Sequence, residues 1–278
     1  MENIDVFLLI GQSNARGLGN PKESIIPNEN CFEYLSTDEI INMRCELETS
    51  EGDGTIAPAF SNEWNKLTGN KVCFIHNAKD GSRIKNWNHD NNWFLNDTIE
   101  KFNTGCTTLS KHYNIENKYV IWIQGESDAK YGSDVLYYKE SLKKIAYRLK
   151  EECMIDKMFV SLTGYWLGED EYFIRTRRIA AAQESACSEC DILCVGSKIA
   201  MQFHDRGLTI DDVHYTQEGL NMLGEDLCKN IYKYHITKEK SVLSDTIDLS
   251  EARKYICELE KISKRFVQYK ILNRVVNL

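Results

Sequence analysis

Short apolar runs alternate with amphipathic stretches along most of this chain. Val6 to Ile10, Lys71 to His76, Tyr119 to Ile123, Lys157 to Leu162 and Asp191 to Val195 are five or six residues each, rich in β-branched and aromatic side chains. Runs of that kind, closed by polar or glycine-containing turns, read as buried strands. Between them the apolar positions recur every three or four residues. Pro58 to Leu67 has helical spacing and meets a stop signal at Gly69, and residues 94 to 113 carry a stripe of Leu95, Ile99, Phe102 and Leu109. Residues 133 to 152 carry another, Val135, Tyr138, Leu142, Ile145 and Leu149, with lysines opposite. Helices are also expected over 170 to 188 and from Gln217 onward. Five strands alternating with helices predict an α/β fold, a three-layer α/β/α sandwich around a five-stranded parallel sheet. Residues 20 to 55 break the pattern. They are polar and irregular, and are expected to form a long connection at the rim of a site.

The first apolar run leads straight into Gly11-Gln12-Ser13-Asn14. A serine on the turn leaving a buried strand lies at the carboxyl edge of the sheet, where open α/β folds bind ligands. A serine there is equally a helix cap. Asp211-Asp212-Val213-His214, in a polar loop just before a helical run, shifts the balance. An acid three residues before a histidine can meet it, and serine first with acid and base late is one chain order for a Ser-His-Asp triad. Asp211 has the better spacing to His214. Asp212 is the lesser candidate, and His204 reads as a rim residue.

Gly11-Gln12-Ser13-Asn14, Gly81-Ser82, Gln124-Gly125-Glu126-Ser127-Asp128 and Asp211-x-x-His214 occur in this order. With them, residues 4 to 230 or so resemble the SGNH (GDSL-like) hydrolases, flavodoxin-like in fold, and within them the carbohydrate esterase family 6 and sialic-acid O-acetylesterase branch. The resemblance implies a serine esterase that removes O-acetyl groups from a sugar or glycan. Ser13, His214 and Asp211 would be catalytic, and the N–H groups of Ser13 and Gly81 with the side-chain amide of Gln124 would form the oxyanion hole. Asp80 departs from the family's usual small residue before that glycine. Gln12, Asn14, Arg16, Glu126 and Trp87 are the candidate substrate contacts. Arg16 is read as a partner for an acidic sugar's carboxylate, and Trp87, Trp93 and the aromatic loop 164–168 as sugar-stacking rings or core. Asp128 reads as a cap of the following helix. An O-acetyltransferase using the same triad and a non-catalytic glycan-binding module are the alternatives.

Composition narrows the classes. The chain has 278 residues and a net charge of −8 with no long basic run, which argues against nucleic acid as a partner. No stretch is long and apolar enough to span a membrane, and the N-terminus lacks the basic region of a secretion signal, so a cytoplasmic location is expected. Ten cysteines sit mostly in apolar segments and read as structural thiols. Cys187-Ser-Glu-Cys190 has no second pair to complete a zinc site, so no cofactor or metal is expected. The division is 1–235 for the hydrolase domain and 236–278 for a helical extension. In the extension Ala252, Tyr255, Leu259, Ile262 and Phe266 form a stripe that packs on its own chain or joins a second copy.

Overall fold

A computed structural model describes residues 1–88, 93–164, 170–240, 243–244 and 247–276. The loop 164–168, read as an aromatic contact, lies outside the described residues beyond Gly164.

The five sequence-predicted strands form the sheet's parallel centre. They are β1 (Asn3–Gly11), β4 (Lys71–Ala78), β5 (Asn114–Ile123), β6 (Lys157–Ser161) and β7 (Leu193–Ser197). The sheet has seven strands, however, in the order β3-β2-β4-β1-β5-β6-β7. The two extra strands, β2 (Cys31–Tyr34) and β3 (Ile40–Asn42), come from the stretch read as irregular. β2 runs parallel to β4, and β3 closes the edge antiparallel to β2. Strands of four and three residues are too short to establish a period, and their pairing comes from the edge of β4 rather than from local propensity.

β1 sits centrally, with β4 on one side and β5 on the other. Chain order reverses around it, so its carboxyl end faces the crevice where such sheets take ligands. Alternation along β1 divides the core. Phe7 and Leu9 pack with Phe60 and Trp64 of α2 (Ala57–Thr68) and Leu223 and Leu227 of α8 (Gln217–Thr237). Val6, Leu8 and Ile10 face the opposite layer. There α4 (Trp93–Leu109), α6 (Val135–Cys153) and α7 (Asp170–Glu189) bury Phe102, Leu142 and Ala182. The last helix, α9 (Ser250–Val276), adds Ala252 and Ile256 to that layer, with Arg253 paired to Glu184 and Glu260 to Lys139.

All ten cysteines carry free thiols, Cys187 and Cys190 included. No described group of three or more His, Cys, Asp or Glu side chains is placed to hold a metal, and no described helix is long and apolar enough to cross a membrane.

Candidate active site

The turn after β1 is set by Gly11. Its φ of +143° is open to glycine, and a Cβ there would lie 1.9 Å from the carbonyl oxygen of Ile123. This close approach lets Gln12 N–H bond the same carbonyl at 3.0 Å. The chain then enters α1 (Ser13–Arg16), one four-residue turn. Ser13 is its first residue. Its side chain does not cap the turn but points across to the other end of the chain.

There the loop before α8 folds back on itself, with Ile210 N–H on His214 O at 2.8 Å and Thr216 N–H on Leu208 O at 2.9 Å. Thr216 caps α8 through Gly219 N–H. His214 Nε2 stands 3.0 Å from Ser13 Oγ, and His214 Nδ1 stands 2.7 Å from Asp211 Oδ2. Asp211 Oδ1 also accepts the N–H groups of Val213 and His214, each at 2.8 Å. Burial raises the Asp211 pKa, but the hydrogen bonds from His214 and Val213 outweigh it, and the carboxyl titrates below its ordinary value. His204 instead faces its neighbour Asp205.

Ser13 and His214 open on a cavity of about 400 Å³ whose lining includes Gln12, Gly81, Ser127, Lys130 and Tyr131. Gly81 turns with φ +62°, which favours glycine, and its N–H has no protein acceptor among the described residues. The loop carrying it is anchored by Lys79 N–H on Gly11 O at 3.0 Å.

Other sequence-chosen residues lie elsewhere. Asn14 is buried, and its Nδ2 donates to Glu126 Oε1 at 2.9 Å and to Val213 O at 3.0 Å. Glu126 Oε1 also accepts the Tyr215 hydroxyl at 3.2 Å. Asn14, Glu126 and Tyr215 therefore stitch the serine turn to both sides of His214 and do not line the cavity. Burial raises the Glu126 pKa, against the lowering bonds from Asn14 and Tyr215. Arg16 is not available to a substrate carboxylate. Its guanidinium faces Glu51 at 3.2 Å, Asp53 at 3.1 Å and Asp80 at 3.0 Å, so the departure at Asp80 has a local partner. Trp87 is core: it is 1 % exposed, packs edge-on against Trp122 and donates to Ser82 Oγ. Trp93 is exposed but lies outside the cavity lining.

Gln124 is fully buried. Its amide nitrogen already donates to Asp128 Oδ2 at 2.6 Å and to Ser82 O at 3.1 Å, and its oxygen accepts from Tyr138 OH at 3.0 Å. The structure thus does not bring this amide to the cavity. Nor does Asp128 cap the helix that follows it. It lies inside α5 (Glu126–Lys130) and accepts the N–H of Ile84, the first residue of the short helix α3 (Ile84–Trp87).

The family model for carbohydrate esterase, sialic acid-specific acetylesterase, matches residues 3–233. The chain belongs to this family. The esterase is by that membership a carbohydrate acetylesterase. A protein of Arabidopsis thaliana shares 19% identity at a TM-score of 0.62, over 82% of this chain and 98% of that one. A carbohydrate acetylesterase from Xanthomonas citri shares 16% at 0.58, over 86% of the esterase and 57% of its own chain. An acetylxylan esterase from Geobacillus stearothermophilus shares 10% at 0.50, over 86% and 97%. No curated protein matches by sequence.

Two residues that sequence reasoning passed over lie at or beneath the site, one in the cavity lining and one under the serine turn. Tyr131 lines it and is 60 % exposed, with Arg83 and Lys130 over its ring at 5.3 and 5.6 Å. Its position directly after α5, the short helix that follows β5, was the available signal. His76 lies beneath the serine turn, with Nε2 2.9 Å from Ala15 O and Nδ1 2.7 Å from the Thr49 hydroxyl. Burial lowers its pKa to about 3, from an ordinary value of 6.5. Between those values the unfolded chain binds a proton that the folded one refuses, so stability falls as pH drops through the window. Glu33, raised by burial to about 7, acts oppositely: its contribution is lost as pH rises from 4.5 toward 7. The difference between wild type and His76→Gln isolates the histidine. Urea midpoints should show a shallower acid loss between pH 6 and 4 in the variant, and identical slopes would contradict the burial of a neutral imidazole.

Proposed function

We propose that this carbohydrate esterase is a serine hydrolase that removes O-acetyl groups from a sugar or glycan through an acetyl-enzyme on Ser13. The observation that carries the reading is the line of contacts from Ser13 Oγ through the His214 imidazole to Asp211, at 3.0 and 2.7 Å, between residues 201 positions apart. His214 Nε2 takes the proton as Ser13 Oγ attacks the acetyl carbonyl. Asp211 holds Nδ1–H, which fixes the tautomer and offsets the imidazolium charge. The oxyanion forms beside the N–H groups of Ser13 and Gly81. His214 then protonates the departing sugar oxygen and the acetyl group stays on Ser13. Water, deprotonated by His214, releases acetate and restores the serine.

The sugar would occupy the cavity of about 400 Å³, beside the exposed side chain of Tyr131 in its lining. Acetate release from O-acetylated sialic acids, acetylated xylan oligomers and a small aryl acetate tests the reading. An acceptor sugar in a parallel reaction distinguishes transfer from hydrolysis. The expected result is acetate from at least one acetylated sugar. Acetate from none, or acetyl groups accumulating only on the acceptor, would overturn it.

A further inference from the structure

We propose that Arg16 and Asp80 form a positioning pair for the reaction: their ion pair tethers the peptide that carries the Gly81 N–H and offsets the carboxylate beside the developing oxyanion. The inference rests on the serine-esterase reading above and adds two residues that act through that peptide.

The Gly81 N–H belongs to the peptide that joins Asp80 to Gly81. Both flanks of that peptide are anchored. Lys79 N–H bonds Gly11 O at 3.0 Å on one side, and Ser82 O accepts from Gln124 Nε2 at 3.1 Å on the other. Ser82 N–H closes the turn on Lys79 O at 3.2 Å. Between these anchors the backbone N–H and C=O groups of Asp80 and Gly81 have no protein partner among the described residues. Open space surrounds the glycine too, since a Cβ there would meet nothing within 4 Å. The Asp80 side chain is therefore the tether of this peptide, and it faces Arg16 Nε at 3.0 Å.

Arg16 holds the other end rigidly. It is the last residue of the four-residue turn that begins at Ser13, and it is 8 % exposed. Its Nε is sealed from solvent with no hydrogen-bond acceptor, so Asp80 meets it as a close opposite charge rather than through a directed hydrogen bond. The other two nitrogens face Glu51 and Asp53, from the stretch before α2. One planar guanidinium thus joins the nucleophile turn to the Gly81 turn, a geometry that a lysine's single ammonium does not reproduce. The pair also governs charge. Asp80 lines the catalytic cavity and Arg16 does not. A bare carboxylate one residue before an oxyanion donor would repel the negative charge that develops in the transition state. Arg16 offsets it from behind, without touching substrate.

Asp80→Ala cuts the tether at a half-exposed side chain, where folding is not at risk. It should lower kcat for a small aryl acetate roughly 10-fold with KM changed little, the scale of a donor displaced rather than lost. Arg16→Met cuts the tether and leaves the carboxylate bare, so kcat should fall further, roughly 10²-fold. The double variant should return to the level of Asp80→Ala, because no charge is left there to repel. A boronic acid forms a tetrahedral adduct with the serine, and its inhibition constant should rise in step with the fall in kcat while inhibition by acetate stays unchanged. Glu51→Gln and Asp53→Asn meet the same guanidinium from another loop and should keep kcat within about two-fold of wild type. Melting of each variant follows folding; if Arg16→Met does not fold, the Asp80→Ala arm decides. Losses that multiply in the double variant would overturn the proposal. So would Asp80→Ala kcat within about two-fold of wild type, or an equal loss in Asp53→Asn. Ser13→Ala distinguishes the levels. If that variant still turns over, the serine-esterase reading fails; if it is dead while Asp80→Ala is fully active, only the present inference fails.

Discussion

Ser13→Ala should reduce turnover of an aryl acetate by roughly 10⁵–10⁶-fold while leaving the protein folded. Removing the nucleophile of a serine hydrolase costs about that much because the remaining groups then stabilise a reaction that cannot follow the covalent route. Little stability is at stake. The side chain is small, and its one side-chain partner among the described residues is His214, itself on a partly exposed loop. The four-residue turn that carries Ser13 is held by neighbours: Asn14 reaches Glu126 and Val213, and Gln12 N–H bonds Ile123 O. The melting temperature should therefore stay close to wild type, and kcat should fall to the background rate. Circular dichroism with a spectrophotometric esterase assay reads both. A folded variant with more than a hundredth of wild-type activity would contradict the proposed role.

Asp211→Asn should lower kcat by roughly 10⁴-fold with only a modest change in KM. The argument lies in which atoms Asp211 serves. Its Oδ1 accepts two backbone N–H groups at 2.8 Å, so an asparagine would keep its own oxygen there and preserve the loop. The asparagine NH₂ would then face His214 Nδ1, which could accept but no longer donate. The ring proton would move to Nε2, the atom that must take the hydrogen of Ser13. Because the wild-type carboxyl titrates below its ordinary value, Asp211 stays ionised through the mildly acidic range, and the variant should remain impaired across it. Asp212→Asn serves as control and should keep near-normal kcat. Comparable losses in both variants would mean that the spacing from His214 had selected the wrong acid.

The residues of the candidate site differ in how readily the chain reveals them. Ser13 was marked by the strand before it, and His214 and Asp211 by the three-residue spacing that one loop can close. Those are local patterns, and the structure places the three side chains within hydrogen-bonding distance. Gln12 and Gln124 carry the same chemical group after two adjacent strands. The distinction between them is tertiary, because it depends on Asp128 and Ser82 O occupying one amide and leaving the other facing the cavity. Arg16 reads as an unpaired cation until Glu51, Asp53 and Asp80 from two loops converge on it. Trp87 was an even choice between cleft and core, and the ring of Trp122 across the layer draws it inward. For the fold, the parallel centre was legible because buried strands are continuously apolar. The β2–β3 edge was not, since each strand is short and Glu33, a buried acid in β2, gives its segment a polar appearance.

The central claim is that the acetyl group passes through covalent attachment to Ser13. It is tested most directly by quenching the enzyme in acid during turnover of an acetyl ester and mapping its peptides by mass spectrometry. The account predicts the added mass of one acetyl group on the peptide containing residues 11–16, located at Ser13 and absent from the Ser13→Ala protein. Rapid release of acetate with no acetyl on that peptide, or acetylation at another residue that tracks turnover, would contradict it.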